Sequence, residues 1–231
     1  MAERFWMLER NPKELDRFSK LSQRTVGQVR LNSDVIDAAL YYNAKKFPDK
    51  YHSTIALSPD FPRLRIALPE AGVPDFFGAG AEMFASRKLR DALAQPPDVV
   101  QYVPIELAAG GPSVIAQDFK WMRVLVDHPA MDREQSKYST LEGDDAPKKS
   151  PPKRAMMIEK FVFIPDFRAP CEIFSVQEAM LTWVASDALA ERVLRAKCTG
   201  IEFCEPETVG IWRGIRRFRT LKGIGERTVG M

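Results

Sequence analysis

Two stretches of this chain, MFASRKLRDALAQPPDVVQYVP at 83–104 and WVASDALAERVLRAKCTGIEFCEP at 183–206, are built to one plan. Each opens on an apolar doublet and Ala-Ser, runs through a short helical pattern, and passes into an alternating apolar stretch ending in Pro. A serine ahead of a helical pattern is a cap, because its side-chain oxygen accepts a hydrogen bond from a free N–H of the first turn. Ser86 and Ser186 hold that position. Leu89 and Leu93 make the apolar stripe of the first copy; Leu189, Val193 and Ala196 make that of the second. Asp187 at the start, with Arg195 and Lys197 at the end, suits the helix dipole. Pro96-Pro97 ends the first helix, and Gly200 is expected to close the second. The copies are offset by 100 residues through the helix and 101 after it, far beyond a solenoid period. They read as corresponding helix–strand units of one pseudo-symmetric fold. The alternative is that any capped short helix before a strand looks like this.

The rest of the chain supplies strands. RFWML (4–8), LRIAL (64–68), DVVQYVPIEL (98–107), DFKWMRVLVD (118–127), AMMIEKFVFIP (155–165), CEIFSV (171–176) and IEFCE (201–205) all read as extended. DVIDAALYYNAKKF, capped at Asn32 or Ser33 and stopped by Pro48, reads as a helix. PEAGVPDFFGAGAE (69–82) is punctuated by Pro and Gly and reads as a loop. Strands and helices do not alternate regularly. The fold class expected is α+β, with a mixed or mostly antiparallel sheet and a few short helices. The chain reads as a single domain, 1–231, or as two lobes, 1–141 and 155–211, joined by the exposed loop 142–154, whose sequence EGDDAPKKSPPKR has no apolar residue larger than Ala. A basic tail, 212–231, follows. It carries Arg213, Arg216, Arg217, Arg219, Lys222 and Arg227 against Glu226, a charge of +5 that leaves −2 for residues 1–211.

Chemistry is sparse. There are two histidines. His52 stands alone, whereas His128 has Asp127 and Asp132 near it; a metal-dependent enzyme around Asp127, His128 and Asp132 is one functional reading, and a polar turn after a strand is the plainer one. Cys171, Cys198 and Cys204 have no CxxC spacing, and suggest reduced thiols in a reducing compartment. No GxSxG or cysteine-protease pattern surrounds a nucleophile. GAGAEM and GIGERTVG (223–230) lack the features of phosphate-binding loops. Asp144 and Asp145 sit in the exposed stretch, where nothing raises a carboxyl pKa. DREQSKYSTLEGDD reads as a polar surface run. Tyr41-Tyr42 and Phe76-Phe77 read as core or near-core aromatics, one member of each available to a partner surface. The tail, with Trp212, Ile215 and Phe218 among its arginines, could grip nucleic acid; an amphipathic edge packed on the body is the weightier alternative. No catalytic, cofactor-binding or metal residue is assigned, and no cofactor is expected. The start of the chain has charges where a signal peptide needs an apolar run, and no stretch is long and apolar enough for a membrane span, so a cytoplasmic protein is expected.

PDFFGAGAEMFASRKLRDAL, VVQYVPIEL, KWMRVL, MDREQSKYS and CEIFSVQEAMLTWVASDALAERVLRAKCTGIEF together resemble a bacterial immunity protein family. That family is named for a myxobacterial immunity protein encoded beside polymorphic toxins. The resemblance spans roughly residues 60–206 and rests on structural residues. It implies a cytoplasmic, non-enzymatic protein that binds and neutralises a cognate toxin, its partner encoded by an adjacent gene. Nucleic-acid binding through the tail and the metal-dependent enzyme remain the alternatives.

Overall fold

A computed structural model of the chain describes residues 4–11, 14, 56–59, 61, 63–79, 82–140, 155–179 and 182–206. The expected helix after Ser33, His52, the stretch 142–154 with Asp144-Asp145, and the tail 212–231 lie outside the described residues. Among the described residues the fold is α+β, with twelve strands and three α-helices. In chain order these are β1 (Phe5–Arg10), β2 (Leu64–Ala67), β3 (Phe76–Ala79), β4 (Glu82–Ala85), α1 (Arg87–Leu93), β5 (Val100–Ala109), α2 (Pro112–Ala116), β6 (Lys120–Val124), β7 (Asp127–His128), β8 (Lys137–Thr140), β9 (Ala155–Lys160), β10 (Ile173–Val176), β11 (Trp183–Ser186), α3 (Asp187–Arg195) and β12 (Ile201–Cys204).

One five-stranded sheet has the order β12-β1-β11-β10-β7, a second the order β2-β5-β6-β4-β3, and β8 pairs with β9 alone. Two compact units result. Among the described residues, the first takes those within 1–9, 127–191 and 203–206, the second those within 10–126 and 192–202.

The two sheets carry the same motif. β3 and β4 are antiparallel, α1 follows β4, and β5 returns to the sheet with β6 placed between it and β4. β10 and β11 are likewise antiparallel, α3 follows β11, and β12 returns with β1 between it and β11. Both inserted strands run antiparallel to the strand before the helix. Ser86 Oγ accepts from the Leu89 N–H at 3.2 Å, and Ser186 Oγ from the Leu189 N–H at 3.3 Å. The N–H of each cap serine donates at 2.8 Å to the carbonyl of the residue before the first hairpin strand, Asp75 in one copy and Glu172 in the other. The correspondence reaches further upstream than the sequence pattern. Leu64 of β2 pairs with Ile105, parallel. Phe161 donates its N–H to the Pro206 carbonyl at 3.2 Å, with Phe161 97 residues after Leu64 and Pro206 101 after Ile105. Independent helices capped by chance would not share an inserted strand and these backbone partners, so the internal pseudo-repeat holds as three-dimensional structure.

Packing explains why these segments fold so. In the second unit Leu57, Leu64, Ile66, Phe77, Phe84, Val103, Val114, Phe119 and Trp121 form one buried cluster. Each side chain of this size buried stabilises by about 1.5–3 kcal/mol relative to exposure. Phe77 stacks on Phe84 at 5.1 Å and meets Phe119 edge-on at 5.3 Å. That pairing corrects the reading of 69–82 as loop: Phe76–Ala79 is strand β3, because burial of Phe76 and Phe77 against β4 outweighs the Pro and Gly around them. A second correction concerns Gly200. Helix α3 ends at Arg195, Lys197 takes the left-handed turn at φ 52°, and Gly200 at φ 83° serves a close approach instead. A Cβ there would lie 2.0 Å from the Phe76 carbonyl oxygen. Helix α2, with Pro112 in its first turn and Val114 wholly buried, had no signal strong enough to read in five residues.

Candidate functional site

The sequence-singled trio does not converge. Asp127 and His128 form β7, paired in parallel with Ser175 and Val176 of β10. The His128 ring rests 5.9 Å from Phe167 and 5.9 Å from Phe174. Asp132 turns away to cap its own turn: Oδ1 accepts from the N–H groups of Glu134 and Gln135 at 2.9 and 3.0 Å, and Oδ2 from Gln135 Nε2 at 2.9 Å. Among the described residues no group of three or more His, Cys, Asp or Glu is placed to hold a metal ion. The Cys198 thiol is not activated. Burial pushes Cys198 up to about 11, the Asp75 carboxylate adding to this and Lys88 opposing it. Cys171 Sγ donates to the Ile173 carbonyl at 3.0 Å, and Cys204 is buried.

The buried polar groups that sequence reasoning missed serve the frame. Asp75, 8% exposed, accepts from Ser86 Oγ at 2.7 Å, the Thr199 N–H at 2.9 Å, Thr199 Oγ1 at 3.0 Å and Lys88 Nζ at 3.4 Å. Its own N–H donates to Thr199 Oγ1 at 3.0 Å. Arg192 donates to the Ala92 and Leu93 carbonyls at the end of α1, and Lys88 donates to the Lys197 carbonyl beyond α3, at 2.6 Å. Each cation thus meets the negative end of the other copy's helix. Asp118, at φ 48°, is bonded by Arg90 and lies 3.5 Å from Arg87. Partial burial raises its carboxyl, but the Arg90 hydrogen bond and charge, with Lys120 and Arg87, outweigh this and hold it below the usual carboxylate range. On β4 and β6, burial pushes Glu82 up and brings Arg123 down to about 10, each opposing the other's shift. Asp75 alone of these was recoverable from the chain, as the residue beside Pro74 that precedes an aromatic doublet.

What the first unit does present is a half-open aromatic cleft of about 310 Å³, lined by Arg4, Phe5, Phe161, Val162, Phe163, Glu205 and Pro206. Its wall is a chain of rings. Phe5 lies 5.7 Å from Phe163 and 5.3 Å from Phe167, Phe161 meets Phe163 edge-on at 5.0 Å, and Phe163 stacks on Phe167 at 4.7 Å. Phe163 and Phe167 are only half buried. Backbone bonds fix this segment from both sides: Asp132 N–H to the Val162 carbonyl at 2.8 Å, Ile164 N–H to the Ala130 carbonyl at 2.9 Å, and Phe161 N–H to Pro206. At the rim Arg4 pairs with Glu205 at 2.7 Å while its guanidinium lies 4.3 Å from the Trp6 ring. Trp6 in turn donates its indole N–H to Asp187 at 2.7 Å. Rigid aromatic walls with an arginine at the rim suit protein recognition, where aromatics and Arg are enriched, better than bond-making.

Compared with known protein families, the chain matches Immunity protein family (Imm11) over residues 17–208, well over half its length. The chain belongs to the Imm11 immunity protein family. The match bears out the resemblance carried by segments between residues 74 and 139 and by 171–203, and extends it upstream of residue 60. No curated protein matches the chain. Among the described residues no helix is long and apolar enough to cross a membrane. As an Imm11 member the chain carries an α+β scaffold, and its family name places it with proteins that confer immunity.

Proposed function

We propose that this protein binds a cognate bacterial toxin and neutralises it by stoichiometric occlusion, in the cytoplasm of the cell that makes both, without turning over a substrate. Membership of the Imm11 family across residues 17–208 carries this reading. The partly exposed rings of Phe163 and Phe167 in the first unit support it, since a tight inhibitor needs a few anchors over a buried area of roughly 1,600 Å² in total. The partner is the product of an adjacent gene. The test is to produce the toxin domain encoded beside this gene with and without the protein. Restored growth and a 1:1 complex on co-purification are expected. A neighbouring toxin that still kills in the presence of excess protein, with no complex at micromolar concentration, overturns the reading.

A further inference from the structure

We draw no further inference here: the strongest candidate, the apolar surface patch where β5 turns into α2 and Pro112, Ile115 and Ala116 are exposed, carries nothing because nothing in the structure shows what covers it.

Discussion

At the level of single residues, this protein invests its buried charge in holding segments together. Asp75 joins the start of β3, the cap of α1 and Thr199, which lies 124 residues away in sequence. Replacing it with Asn removes the charge from bonds made by Ser86, Lys88 and Thr199. Asp75→Asn should therefore cost about 2–3 kcal/mol in urea unfolding, the range for hydrogen bonds to a charged group left partly unmade. Asp118 gives a pH signature. Its carboxyl is held below its ordinary value by Arg90, Lys120 and Arg87 against the contrary effect of burial. A depressed acid stabilises the fold above the unfolded-state value of about 3.9, and that contribution is lost as pH falls through the lower folded-state value. Asp118→Asn should flatten the fall in melting temperature between about pH 5 and pH 3 relative to the unsubstituted protein. The effect is modest because the Asp118 side chain is 39% exposed and solvent screens it. A melting curve whose acid limb is unchanged by the substitution would contradict this.

Among the elements, the two capped helices are the part of the fold most openly written in the chain. Ser86 and Ser186 each accept from the N–H three residues on, as a cap should. Ser86→Ala and Ser186→Ala should each lower stability by about 1 kcal/mol, readable as a shift in denaturation midpoint at constant m. The strands are legible where the chain alternates, as in β5, or runs mostly apolar, as in β6 and β10. Phe76–Ala79 carries strong loop signals locally in Pro74, Gly78 and Gly80, whereas the force that makes it a strand is burial against Phe84 across the hairpin and against Phe119, which is remote in sequence. Gly200 acts through its close contact with Phe76, not as a helix stop, so Gly200→Ala should destabilise by about 1–3 kcal/mol through strain.

For the molecule as a whole, strands from far apart complete each sheet. β1 enters between β11 and β12, with Met7 opposite Val184 and only 1% exposed. Met7→Ala should cost roughly 2–5 kcal/mol, and the amides of β11 should lose hydrogen-exchange protection with it. Sequence by itself determined the α+β class, the two serine-capped helix–strand units, the family resemblance and the scarcity of reactive groups, because those depend on local hydrogen bonding, periodicity and residue type. Tertiary structure alone decided that the units share an inserted strand and the same backbone partners, and that Phe5 meets Phe163 and Phe167. Those outcomes depend on which distant surfaces meet, and burial between residues over a hundred positions apart leaves no mark on the local pattern of either.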